Sequence, residues 1–156
     1  MRRLVVYLAG DAVGDLEQDD SGLLKFRYRP EWLARDGASP LSRSLPLQGD
    51  AFRGKHARAF FAGILPEEEP RRRIASILGV SERNDFALLE RIGGECAGAV
   101  CLLPEGVAPS AAGEARVREL SEGELQRIVT ELPDRPLLAG EDGLRLSLAG
   151  AQDKLP

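Results

Sequence analysis

Apolar and polar residues alternate through Tyr28, and the alternation predicts strands rather than helices. RRLVVYLAG (2–10) and AVGDLEQD (12–19) read as the two arms of a hairpin around a Gly10-Asp11 turn. A second turn at Asp20-Ser21-Gly22 leads into LLKFRY. There Leu24, Phe26 and Tyr28 share one face, and Leu23, Lys25 and Arg27 share the other. A three-stranded antiparallel meander with one apolar row needs a cover, and helices are the expected one.

Beyond Tyr28 the period lengthens. Pro30-Glu31-Trp32-Leu33-Ala34 suits a single helical turn with proline at its start, closed by Asp36-Gly37, with Trp32 as a lid on the meander. PLSRSLPL (40–47) has the composition of an extended edge segment, because Pro40 and Pro46 lack the N–H that a ladder needs. ARAFFAGILP predicts a short helix around Phe60, Phe61 and Ile64. PEEEPRRRIASILGV predicts another, with acids at its start, Ile74, Ile77 and Leu78 as its buried stripe and Gly79 as its stop. SERNDFALLERIGG predicts a third, burying Phe86, Leu89 and Ile92 and ending at Gly93-Gly94.

AGAVCLL (97–103) then reads as a buried strand, and PEGVAPSAAGEA (104–115) as a linker rich in Pro, Gly, Ser and Ala. ARVREL predicts a short strand. Ser121 and Glu124 have the S-x-x-E spacing of a capping box for a helix through about Glu131. After the loop LPDRPLLAGEDG, LRLSLAG predicts a last strand in which Leu144, Leu146 and Leu148 alternate with Arg145 and Ser147. The fold class is α+β: an antiparallel sheet covered by several short helices over residues 1–103, the linker 104–115, and a second small αβ unit over 116–156.

Composition narrows the function classes. With 156 residues, 43% hydrophobic and 29% charged, the chain can bury a core, and extensive disorder is excluded. A net charge of −4 lacks the basic footprint of a phosphate-backbone binder, so direct nucleic-acid binding is not expected. Cys96 and Cys101 are spaced as CAGAVC, which is neither a CxxC site nor a disulfide framework, so reduced thiols of a cytoplasmic protein are expected. His56 stands without a second histidine or clustered cysteines, and no metal site is expected. No apolar run is long enough for a membrane span or a signal peptide.

No catalytic pair or triad declares itself. Arg71, Arg72 and Arg73 suit either an anion or partner site or a solvated helix face paired to nearby glutamates. RIGGECAGA is glycine-rich but runs from helix into strand, the reverse of a nucleotide-binding turn. SLAGAQDK does follow a strand. Its small residues allow backbone N–H groups close to a phosphate, and Lys154 adds a point charge. It is not the G-x-x-x-x-G-K-[ST] loop, and on residues alone an ordinary turn remains open.

Six segments in order carry a family resemblance: VVYLAGDAVGDL, FRYRPEWLA, PLSRSLPL, AFFAGILPEEEPRR, NDFALLERIGGECAGAV and SLAGAQDKLP. Together they resemble the N-terminal part of the HipA family, the Ser/Thr kinase toxins of bacterial type II toxin–antitoxin modules. The resemblance implies an N-terminal fragment of such a kinase, whose larger C-terminal lobe holds the catalytic and metal-binding residues. It implies ATP and Mg²⁺ as cofactors of the full-length kinase and none on this chain alone, which should be silent by itself. It also implies a HipB-like DNA-binding antitoxin as partner and an aminoacyl-tRNA synthetase as protein substrate.

Matched position by position, the autophosphorylated serine of the family's S-x-x-G-A-Q-x-K motif is Ser147. The loop that approaches the ATP phosphates is Ala149, Gly150, Ala151, Gln152, Asp153 and Lys154. A phosphoserine adds about two negative charges that compete with nucleotide for the same donors, which accounts for an ejected loop. The family often carries Glu where this chain has Asp153, a shorter acidic arm. A second expectation is a free-standing binding or antitoxin subunit that regulates a separately encoded kinase lobe. An in-frame continuation past Pro156 would exclude it.

Overall fold

The computed structural model describes residues 2–95, 99–109 and 119–131. Its centre is a five-stranded antiparallel sheet in the order β4-β3-β2-β1-β5. Strands β1 (Arg2–Leu8) and β2 (Asp11–Gln18) form the expected hairpin. Its turn is Ala9-Gly10, both at positive φ (51° and 91°), and Asp11 already belongs to β2. Two left-handed residues match the twist of the arms, which is why glycine is needed there. Pairing shifts between Val6 and Tyr7, from Val6↔Gly14 to Tyr7↔Ala12, so Val13 bulges and is fully buried.

Strand β3 (Leu24–Tyr28) pairs with β2 and turns Leu24, Phe26 and Tyr28 inward, all at most 4% exposed, while Leu23 is 45% exposed. A Cβ on Gly14 would lie 2.4 Å from Phe26 Cε2 and 2.6 Å from the Arg27 carbonyl oxygen, so only glycine lets the Phe26 ring cross β2. Phe26 packs edge-on against Tyr28 at 4.9 Å and tilted against Phe61 at 5.3 Å. Helix α1 (Pro30–Leu33) is the single turn expected, and Trp32 is buried in the core with Nε1 donating to the Ser39 carbonyl.

The segment 40–47 corrects the sequence reading. It adds no strand to the sheet; an isolated Ser42↔Leu45 bridge closes it into a turn. Its anchor is Tyr28, whose hydroxyl donates to the Leu45 carbonyl at 2.6 Å and accepts from Leu41 N–H at 2.8 Å, while Leu45 is fully buried. The edge strand beside β3 is instead the two-residue β4 (Phe52–Arg53).

Helices α2 (Lys55–Gly63), α3 (Glu68–Leu78) and α4 (Asp85–Ile92) supply the cover, with Ala57 and Phe61, Ile74 and Ala75, and Phe86, Leu88 and Leu89 in the core. Ile77, expected in the α3 stripe, is 39% exposed, and Ala75 takes the inward place. Gly79 ends α3 in the left-handed region, with Val80 N–H reaching the Ala75 carbonyl. Asn84 caps α4 by accepting from Ala87 N–H. Gly93-Gly94 continue as a 3₁₀ turn through Glu95 rather than ending the helical path at once.

Strand β5 (Val100–Pro104) returns antiparallel to β1, with Val5 opposite Leu103. It starts three residues later than expected and takes in Pro104, the first residue of the expected linker; residues 96–98 lie outside the described residues. Helix α5 (Glu122–Glu131) begins with the expected capping box: Ser121 N–H and Oγ both donate to Glu124 Oε2, and Glu124 N–H returns a bond to Ser121 Oγ. Of the strand expected over 115–120, only 119 and 120 are described, and they are irregular; the strand expected at 144–150 lies outside the described residues.

Candidate functional site

The residues matched to the phosphate loop, Ser147 and Ala149, Gly150, Ala151, Gln152, Asp153 and Lys154, all lie outside the described residues. So does Cys96. Cys101 is half-buried on β5, with its thiol against the Gly94 carbonyl. His56 is exposed on the first turn of α2. Among the described residues, no group of three His, Cys, Asp or Glu side chains could hold a metal ion, and no helix is long and apolar enough to cross a membrane.

The arginine run of α3 divides by helical geometry. Arg72 and Arg73 pair with Glu69 one turn earlier, as a solvated face does. Arg71 turns inward. Its Nε donates to the Glu82 carbonyl at 2.7 Å, and its Nη2 pairs with Asp85. Asp85, at the first position of α4, is 4% exposed and is the one buried charged side chain among the described residues.

Asp85 has a second partner. Arg58 on α2 donates from Nε at 2.6 Å, and this carboxylate bond followed by its Coulombic attraction holds the Arg58 guanidinium above its ordinary pKa. One carboxylate therefore ties α2, α3 and α4 together. The sequence reading missed it, because an acid in a helix's first turn is ordinary as a dipole partner. Only the arrival of two arginines from 27 and 14 residues away distinguishes it.

Beside this junction a cleft of about 220 Å³ opens between the β2–β3 turn and the start of α2. Leu23 and Leu24 supply its apolar wall, Gly54 its edge at the start of α2, and Lys55, Arg58 and Arg83 its cations above Asp85. Gln18 fixes the near side, its amide donating to Asn84 Oδ1 at 3.2 Å and to the Gly22 carbonyl at 3.3 Å. The turn itself is tied together through Asp19. Asp19 Oδ1 accepts from Ser21 Oγ, Ser21 N–H and Leu23 N–H, and the Ser21 hydroxyl foremost holds the Asp19 carboxyl below its ordinary value.

The sheet from β1 to β5, with the helices between, is the part of the chain that a family model recognises: the HipA N-terminal domain model matches residues 4–103. The chain belongs to the HipA N-terminal domain family. Among its relatives, Y4mE of Sinorhizobium fredii, named as a candidate kinase, is 48% identical over 159 positions, covering all of this chain and 38% of that protein. The Ser/Thr-protein kinase toxin HipA of Shewanella oneidensis is 29% identical over 153 positions, 97% of this chain and 34% of that protein. A chain in the solved complex of Shewanella oneidensis HipA, HipB and operator DNA superposes with a TM-score of 0.69 at 29% identity, again over 97% of this chain and 34% of that chain. The HipA-like chain thus spans little more than a third of the length of these relatives.

Proposed function

We propose that this chain serves as the N-terminal module of a HipA-type Ser/Thr protein kinase toxin, contributing antitoxin contact and the Gly-rich loop Ser147–Lys154 to an active site completed by a kinase lobe. The observation that carries the reading is homology to a named Ser/Thr kinase toxin over 97% of the chain, on a shared fold. In that arrangement Ser147 is the autophosphorylated residue. Ala149, Gly150, Ala151, Gln152 and Asp153 form the backbone turn toward the ATP phosphates, and Lys154 supplies a fixed positive charge.

ATP and Mg²⁺ belong to the assembled kinase. The kinase lobe would supply the positioned Mg²⁺ and the base that phosphoryl transfer requires. The partner is a HipB-like antitoxin, and the protein substrate is an aminoacyl-tRNA synthetase.

The test is to incubate the purified 156-residue chain with radiolabelled ATP and Mg²⁺, alone and with an active HipA kinase, and to map phosphate by mass spectrometry. The chain alone should take no label, and phosphate transferred in the mixture should sit on Ser147. Robust self-labelling of the chain, or transfer to a residue other than Ser147, would overturn the reading. Capture of a HipB-like antitoxin by the immobilised chain checks the partner.

A further inference from the structure

We propose that the cleft between the β2–β3 turn and the first turn of α2 binds a dianionic phosphomonoester group. Three cations line it, and their partners do not satisfy them. Lys55 and Arg83 are exposed and make no ion pair among the described residues. Arg58 spends its Nε on Asp85 and leaves its two Nη groups, on a side chain 61% exposed. Asp85 is also neutralised from outside the cleft by Arg71, which does not line it. The excess positive charge is therefore two or more, which a single carboxylate leaves unbalanced and a phosphomonoester matches.

The backbone adds donors of the same sign. Gly54, at the cleft edge, is the N-cap of α2 and brings no side-chain acceptor, so the N–H groups of that first turn have no side-chain cap. Leu23 and Leu24 lower the local polarity and strengthen each charged contact. At about 220 Å³ the cleft lies below the roughly 300–1,000 Å³ of pockets that enclose drug-sized molecules, so it suits a phosphate group with its first few atoms rather than a whole nucleotide.

Two sources present this chemistry, free phosphate and a phosphorylated side chain. The experiment titrates the ¹⁵N-labelled full chain at about pH 7.5, where a phosphomonoester carries close to two charges. The probes are inorganic phosphate, O-phosphoserine, dimethyl phosphate and glutamate. Inorganic phosphate and O-phosphoserine should produce saturable shifts at the amides of 54–58 and 83–85, with dimethyl phosphate and glutamate at least tenfold weaker. O-phosphoserine tighter than inorganic phosphate assigns a phosphorylated side chain, and equal affinity assigns free phosphate.

Lys55→Ala/Arg83→Ala should weaken inorganic phosphate at least tenfold with the thermal midpoint unchanged. If that midpoint moves, Lys55→Gln/Arg83→Gln repeats the measurement. No saturable shift, shifts centred elsewhere, an equal response to glutamate, or unaltered affinity in the folded double variant would each overturn the proposal.

Discussion

Replacing Asp85 by asparagine keeps the side chain's shape and one oxygen acceptor but removes its charge, and the consequence is set by the unequal burial of its two partners. Arg71 has a side chain 17% exposed, so losing the carboxylate leaves a cation mostly withdrawn from water. Arg58, 61% exposed, rehydrates with little penalty. Removing one partner of a fully buried pair costs about 3–5 kcal/mol, whereas an exposed pair is worth about 0–1. Arg71 keeps the Glu82 carbonyl on its Nε, which places its share below the buried range, and α4 forfeits its first-turn acid, worth about 0.3–1 kcal/mol. The sum is about 2–3 kcal/mol, or roughly 5–10 °C in Tm for a chain of this length.

Urea unfolding followed by the fluorescence of Trp32, the only tryptophan, measures it. Arg71→Ala should cost about 2 kcal/mol, while Arg58→Ala stays below about 0.5. The Asp85→Asn/Arg71→Ala cycle should show coupling of about 1 kcal/mol or more. Asp85→Asn within about 0.5 kcal/mol of the parent, or Arg58→Ala as costly as Arg71→Ala, would refute the reasoning.

Tyr28→Phe leaves the Leu41 N–H and the Leu45 carbonyl without their shared hydroxyl, so it should cost about 1–3 kcal/mol and speed hydrogen exchange at the Leu41 amide while the β1–β2 amides stay protected. Burial raises the Tyr28 hydroxyl above its ordinary value, so its contribution is complete below about pH 10 and fades as pH climbs through the folded-state midpoint; thermal scans between about pH 9 and 12 should show that alkaline limb in the parent and not in Tyr28→Phe. Asp19 runs the other way. Its folded-state value lies below 3.8, so what it contributes is present above that value and is lost as pH falls through the lowered midpoint. Ser21→Ala removes the largest cause, and a carbon-detected titration should find the Asp19 midpoint moved up toward 3.8; an unmoved midpoint would show that the backbone N–H groups alone hold the carboxyl.

The period of two was legible where one face of a strand is solvated and misleading where it is not. β3 alternates cleanly because its outer residues, Lys25 and Arg27, stand opposite Glu17 and Asp15 on β2, so charge marks one side and Phe26 the other. β1 buries Leu4, Val5 and Val6 in succession, and β5 buries Leu102 and Leu103, with Val5 facing Leu103 across the ladder. Those two residues lie outside the main core cluster, so this end of the sheet is covered on both faces while the β2–β3 end is covered on one. A run such as LVV or CLL records that burial, but a local pattern does not say which neighbour supplies it.

The same limit separates the two candidate sites. The loop at 147–154 is contiguous, so its motif could be read from the chain, although its geometry lies outside the described residues. The cationic cleft is assembled from 18–24, 54–58 and 83–85, three segments whose charges look like ordinary surface until the fold brings them together. The most conspicuous basic feature, Arg71-Arg72-Arg73, then serves structure: two of its members pair with Glu69, and the third neutralises Asp85 from behind. That leaves Lys55, Arg58 and Arg83 to face outward. A buried carboxylate that needs one arginine inside and holds another at the rim is how the fold keeps positive charge at a cleft in a chain whose net charge is −4.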